Sequence, residues 1–434
     1  MDKMADVLGR AGAWCGQNKY LSAIKNAFQN FMPLTIAGAI GVLWCNVLVN
    51  ETTGLGMFFK PIMALDFLNP AFQAVNFCTI SCITVGITLG IAQEIGVWNM
   101  GAERAGYIPG LVGLAAWLSV TNTSHMVDGA KEAFTGVAGN ELGATGLFTG
   151  MIIGVLSVEL FCFFEKQDAL KIKMPEQVPP GVARAFEVLV PATITLIITA
   201  CIGSACYNLT GLYLNDVIKN GVQGPLGAVG ATVPGVMIIY LVIMLFWLVG
   251  IHGNNMLSAV KEALFTPLAL ENVEAFNKGE TPKNIINMYA LQMWGEFGGS
   301  GVTIGLVIAI MIFGKREDNK AIATLSLVPG LFNINETVTF GVPMVLNPIL
   351  GIPFVFACLV TILVGYVLTV IGFCPVACLT VPWTTPPIVF GFLACGVNVM
   401  GAVTQAILIV VSTVIYTPFL ISYEKYQNKQ AAEA

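Results

Sequence analysis

The chain is dominated by long apolar runs, and polar residues gather in short stretches between them. A helix needs about 20 largely apolar residues to cross a bilayer. Eight runs meet that length, near 30–50, 74–92, 145–164, 186–207, 233–251, 286–313, 345–371 and 398–421. Two others, near 107–120 and 254–272, are shorter or more polar, and the second carries Lys261 and Glu262. Two interrupted apolar stretches, near 321–342 and 376–392, are broken by prolines and polar residues. Broken backbone at membrane depth survives only when buried in protein or lining a cavity, so each reads as a re-entrant hairpin.

Charge placement settles the shorter runs. Lys3, Arg10, Lys19 and Lys25 precede the first run, and Lys166, Lys171, Lys173 and Arg184 fall in 166–184. Lys315, Arg316 and Lys320 form a third group, and Lys425 and Lys429 lie in the tail. The positive-inside rule puts all four stretches in the cytoplasm. Even numbers of crossings must then join them, which makes 107–120 and 254–272 cross as well. The expectation is an all-α polytopic membrane protein with about ten transmembrane helices, two re-entrant hairpins and both termini cytoplasmic.

Composition agrees with this class. Hydrophobic residues make up 56% and charged residues 10%, with a mean hydropathy of +0.79, against roughly 25% charged residues in soluble domains. The start of the chain lacks the unbroken apolar core of a signal peptide and reads as a cytoplasmic amphipathic segment over 1–28. A scaffold or dimer-interface domain is expected over 29–210, a transport domain holding both hairpins over 211–424, and a cytoplasmic tail over 425–434. Plain helix packing through Gly and Ala explains the small residues of the first part equally well. The eleven cysteines mostly lie inside apolar runs, with Cys78/Cys82 and Cys374/Cys378 four apart and so on one helix face. Without a CxxC, and with only His125 and His252 as imidazoles, they read as small buried hydrophobes rather than as metal ligands. His125, beside Asp128, Lys131 and Glu132, sits in a polar external loop and is given no role.

Three polar groups stand out at membrane depth. The segment VPGLFNINETVTFGVPMVLNP holds Asn333, Asn335 and Glu336, and an ionisable residue inside the membrane is a functional-site hypothesis by default. His252, the side chain that titrates near neutrality, follows Trp247 and precedes Asn254 and Asn255. In the second hairpin Trp383, Thr384 and Thr385 stand between prolines. A carboxylate, an imidazole, amides and indoles together suit a carbohydrate, whose hydroxyls need donors and acceptors and whose C–H faces stack on aromatic rings. A histidine at a helix end can equally be a cap, and a tryptophan near a boundary can be an interfacial anchor.

These residues resemble the membrane-embedded IIC (permease) component of the phosphoenolpyruvate-dependent sugar phosphotransferase system, in its lactose/cellobiose (diacetylchitobiose) family. The matching stretches are LSAIKNAFQNFMPLTIAGAI, VPPGVARAFEVLVPATITL, FWLVGIHGNN, GGSGVTIGLVIAIMIF, PGLFNINETVTFGVPMVLNPILGIPF and VPWTTPPIVFGFLACG, spanning about residues 20 to 420. One departure is Thr337, where the family commonly has proline. The resemblance implies a homodimer of the bacterial inner membrane, with ten spans and two re-entrant hairpins. It implies that an external β-linked disaccharide is bound, moved inward and phosphorylated on its 6-hydroxyl by a phosphocysteine of a IIB component. IIB is charged in turn by IIA and HPr. No bound cofactor, metal or nucleic acid is expected, and the phosphoryl donor is expected on another chain.

The resemblance makes Glu336 and His252 the catalytic candidates. Glu336 would take the proton of the attacking hydroxyl, and His252 would bond that hydroxyl or steady the phosphoryl charge. Asn254, Asn255, Asn335, Trp383, Trp247 and Thr384 would hold the sugar. The rival reading is a proton-coupled secondary sugar transporter in which Glu336 carries the proton.

Overall fold

The computed structural model describes residues 17–433, apart from 52–55, 57, 126–133, 176, 226–229 and 343, together with Arg10, Ala13 and Trp14. Most of the predicted N-terminal segment, and Asp128, Lys131 and Glu132, lie outside the described residues.

Each of the ten predicted runs is occupied by a helix or a bent pair of helices. Helices α1 (Lys19–Leu43), α2 (Ile83–Met100), α3 (Ile108–Val120), α4 (Ala144–Glu165) and α5 (Pro180–Thr210) come first. They are followed by α6 (Val233–Leu248), α7 (Ser258–Asn277), α8 (Met288–Gly295), α9 (Ile304–Phe313), α10 (Glu317–Leu331), α11 (Glu336–Gly341), α12 (Gly351–Val370), α13 (Val389–Ala394) and α14 (Val399–Glu433). Five helices are long and apolar enough to cross a membrane alone, and two bent pairs qualify jointly, among the described residues. The chain divides into two compact units.

The first unit comprises Gln17–Gly38 and Gln73–Gly227. Its helices approach closely through small residues: a Cβ on Gly113 of α3 would lie 2.3 Å from the Cβ of Ala92 on α2, and one on Gly150 of α4 would lie 2.2 Å from Thr88 Oγ1. Lipid offers no hydrophobic drive between helices, so close backbone contact of this kind carries the association. Trp117 is fully buried in the resulting core. At the end of α4, buried Glu165 accepts from Arg104 at 2.7 Å and from Arg184 at 3.2 Å, so one member of the predicted basic loop is neutralised within the fold. A two-residue pairing of Ser124–His125 with Phe134–Thr135 is antiparallel.

The second unit contains Ala39–Phe72 and Ala228–Ala434, tied across sequence by Asn46 Nδ2 donating to Asn277 at 3.0 Å. Helix α8 starts where the Asn287 side chain caps the amides of Tyr289 and Ala290 at 3.0 and 3.1 Å, one of the strongest helix-start signals. Gly365 of α12 faces the Trp294 ring of α8, and Gly305 of α9 faces Ser412 of α14.

Two expectations change here. The run 286–313 is not one straight helix: α8 ends at Gly295, the chain passes through Gly298–Gly299–Ser300–Gly301, and α9 leaves at 59°. Gly298, Gly299 and Gly301 all have positive φ, which a run of side-chain-bearing residues does not adopt. Cys374 and Cys378 do not share a helix face, because this stretch carries no helix. Cys374 instead meets Cys395, with the sulfurs 3.8 Å apart.

Candidate functional site

The first interrupted stretch is a helix–turn–helix. Helix α10 ends at Leu331, the chain turns through Asn333 with φ +64°, and α11 begins at Glu336. Asparagine tolerates this left-handed conformation better than most residues, and its side chain is used on both sides. Its Oδ1 accepts from the amide of Gly298 at 2.6 Å, and its Nδ2 donates to the carbonyls of Trp383 at 2.5 Å and Thr385 at 3.1 Å. Asn333 therefore ties the first interrupted stretch both to the second and to the glycine loop between α8 and α9.

The second stretch is irregular from 375 to 386 and ends in the short helix α13. Buried Gln405 of α14 accepts from the amides of Ile388 and Gly391 at 2.8 and 2.7 Å. It also donates to the Met293 carbonyl at 3.2 Å. Backbone groups that no helix satisfies thus find a side chain instead. Held in this way, Trp383 exposes 44% of its surface, and Thr384 lies exposed beside it.

The glycine loop is gripped by two of the predicted amides. Asn254 Nδ2 donates to Ser300 Oγ at 3.0 Å, and Asn335 Nδ2 donates to the Ser300 carbonyl at 2.8 Å. Asn335, only 4% exposed, gives its second proton to Thr339 Oγ1 at 3.1 Å. Gly299 stands so near that a Cβ there would meet the Asn335 Cβ at 2.5 Å. Asn335 is thus a buried fastener, whereas Asn255 is exposed.

His252 follows the end of α6 and caps a single turn, Gly253–Met256, with Nδ1 accepting from the Asn255 amide at 3.2 Å. That commits the ring: with Nδ1 an acceptor, the neutral imidazole carries its proton on Nε2. Nε2 faces Glu336 Oε1 at 3.9 Å, and both side chains are partly open, at 39% and 47%. Trp247 is 2% exposed and lies against the imidazole, with ring centroids 4.5 Å apart, and Phe354 backs it at 6.5 Å. Its place is beneath His252.

The structure therefore brings His252 and Glu336 together and fastens Asn254 and Asn335 to one serine. Through Asn333 it links Trp383 to the turn that carries Glu336. Sequence reasoning assigned no role to Asn333 or Ser300, whose partners are largely backbone groups distant in sequence. It also passed over Lys261 and Glu296. The Lys261 ammonium pairs with Glu296 Oε1, which also accepts from the Tyr240 hydroxyl at 2.6 Å.

Comparison with known proteins bears on this arrangement. The family model described as "Phosphotransferase system, EIIC" matches residues 25–358. The oligo-beta-mannoside-specific EIIC component of Bacillus subtilis (strain 168) is 32% identical over 429 residues, covering 98% of this chain and 94% of that protein. The lactose-specific EIICB component of Staphylococcus aureus (strain COL) is 31% identical, over 94% of this chain and 69% of that protein. The crystal structure of ChbC, the IIC component from the N,N'-diacetylchitobiose-specific phosphotransferase system, superposes with a TM-score of 0.88 at 29% identity, covering 97% of each chain.

Proposed function

The chain belongs to the phosphotransferase system EIIC family, and from that premise we propose that it carries a β-linked disaccharide inward and presents its 6-hydroxyl to a phosphorylated IIB component. Relatives named for cellobiose and oligo-β-mannosides, and the likeness to a diacetylchitobiose component, support the substrate class. The name EIICB borne by the lactose-specific relatives supports a IIB partner. A homodimer in the bacterial inner membrane, both termini cytoplasmic, with IIA and HPr upstream of IIB, completes the reading.

The observation that carries it is the gap between His252 and Glu336. At 3.9 Å the two groups do not bond each other, yet one hydroxyl oxygen can stand about 2.8 Å from both. The two groups then divide the work. His252 Nε2 bears a proton in the neutral and the charged ring alike, so it donates to the hydroxyl oxygen or to the incoming phosphoryl oxygens. Glu336 is the acceptor of the pair and takes the hydroxyl proton as the oxygen attacks phosphorus. A sugar hydroxyl is a weak nucleophile at neutral pH, and a carboxylate within hydrogen-bond reach of it is a suitable base. The S–P bond of the IIB phosphocysteine breaks as the new O–P bond forms, which returns the thiolate to IIB.

In this reading Trp383 stacks on a sugar ring, with Asn255 and Thr384 bonding hydroxyls from the open side. Trp247, Asn254 and Asn335 hold the His252 and Glu336 backbones in register. The test is to incubate the purified protein and phosphorylated IIB with cellobiose or N,N'-diacetylchitobiose. A sugar 6-phosphate should form only when both proteins are present. Sugar left unmodified with both present contradicts the proposal.

A further inference from the structure

From Ile286 to Val307 every residue is buried except two, Gln292 and Glu296. They stand four apart, so they lie one above the other on a single face of α8 and its C-terminal cap. In a chain that spans a bilayer, a carboxylate and an amide aimed at lipid would each cost several kcal/mol. Their shared face is therefore turned toward the protein interior rather than toward lipid. That face adjoins the site already described. The carbonyl of Glu296 accepts from the Gly299 amide at 3.1 Å, opening the loop whose Ser300 is held by Asn254 and Asn335.

The two oxygens of Glu296 are used unequally. Oε1 takes both the Lys261 ammonium and the Tyr240 hydroxyl. Among the described residues Oε2 accepts nothing, yet it is not sealed away, and the side chain stays 17% exposed. Lys261 is the more deeply buried partner, at 7%. Its ammonium holds Glu296 Oε1 in place. An ion pair kept for stability alone can be replaced by apolar residues at little cost. A carboxylate with one oxygen clamped and the other open is instead a fixed acceptor, and sugar hydroxyls are the donors this site is built to receive.

We propose that Glu296 is a second carboxylate of the sugar site, with Oε2 accepting one sugar hydroxyl, and that it sets which disaccharides bind. The inference rests on the sugar-site reading above, and the test separates the two.

Binding is measured on the purified full-length protein with cellobiose and its monodeoxy analogues. The wild type should bind cellobiose and lose affinity for one analogue in particular. Glu296→Gln should weaken cellobiose about tenfold to a hundredfold, the range of a hydrogen bond to a charged group. Its loss should vanish for that one analogue, because the partner hydroxyl is already gone. A merely structural role would weaken all analogues alike. Should Glu296→Gln fail to fold, the double variant Lys261→Met/Glu296→Gln, which leaves no buried charge unpaired, should show the same selective loss. Wild-type affinity in either variant, or an equal loss for every analogue, overturns the assignment while leaving the sugar site standing. A wild type that binds neither cellobiose nor N,N'-diacetylchitobiose overturns the sugar site and this assignment with it.

Discussion

His252 Nε2 stands 3.9 Å from Glu336 Oε1, while the other nitrogen of the same ring is taken by the Asn255 amide at 3.2 Å. The cap fixes the tautomer, and the tautomer fixes the roles, with the histidine a donor and the glutamate an acceptor. Glu336→Gln should therefore retain sugar binding within about 1–2 kcal/mol and abolish phosphorylation, because an amide keeps the size and one acceptor but cannot take a proton. Calorimetry with sugar and single-turnover transfer from phosphorylated IIB measure the two effects. Normal transfer by Glu336→Gln would remove Glu336 as the base.

Trp247 lies under the imidazole and only 2% of it reaches the surface. Trp247→Phe keeps an aromatic plane but loosens the ring above it. Sugar affinity should change less than about threefold while the transfer rate falls about tenfold or more, since small displacements of a reacting group are costly. A variant that loses affinity and keeps its rate would make Trp247 a sugar platform instead. Trp247→Ala should also destabilise the protein by about 3–5 kcal/mol, as expected for emptying a core site of this size.

Asn333 joins three segments with one side chain. Asn333→Ala removes three hydrogen bonds worth about 1 kcal/mol each and places alanine at a left-handed φ. A loss of about 2–4 kcal/mol is expected, read as a lower melting temperature in detergent, together with weaker sugar binding. Asn333→Gly relieves the backbone but not the lost bonds, so it should recover only part of the stability. Full recovery by glycine would show that the side chain ties nothing.

The ten helical runs were legible because lipid demands a length of apolar sequence that soluble folding does not. Glu336 and His252 were legible because a titratable group at that depth needs a reason. The bend between α8 and α9 was not, since glycines within 286–313 look the same whether they pack helices or break one. Glu296 was hidden by the apolar residues around it, and only burial residue by residue separates it from its neighbours. Asn333 looked like one polar residue of several. Its partners include the carbonyls of Trp383 and Thr385, about fifty positions away, and no side-chain pattern announces a backbone acceptor. Trp247 and Trp383 looked equivalent in sequence, yet one is sealed under an imidazole and the other is open.

The orientation inferred from charge is open to labelling. Single cysteines replacing Glu317 and Lys173, in a background lacking reactive native thiols, should react only with reagents that reach the cytoplasm. One replacing Thr123 should react only from outside. Labelling of position 317 from outside would break the parity of crossings on which the arrangement of helices in the bilayer rests.

Phosphoryl-coupled transport and proton symport differ in what drives them. A symporter depends on the membrane potential, about 2.3 kcal/mol per charge per 100 mV, whereas the proposed route draws on the donor phosphate and traps the product as an anion. The most direct measurement uses vesicles holding the purified protein, with phosphorylated IIB on the cytoplasmic face, labelled disaccharide on the opposite face, and an uncoupler present. Sugar phosphate should keep accumulating on the cytoplasmic face, and should stop when IIB is omitted or when His252 and Glu336 are both replaced. Uptake that collapses with the uncoupler and ignores IIB would contradict the account.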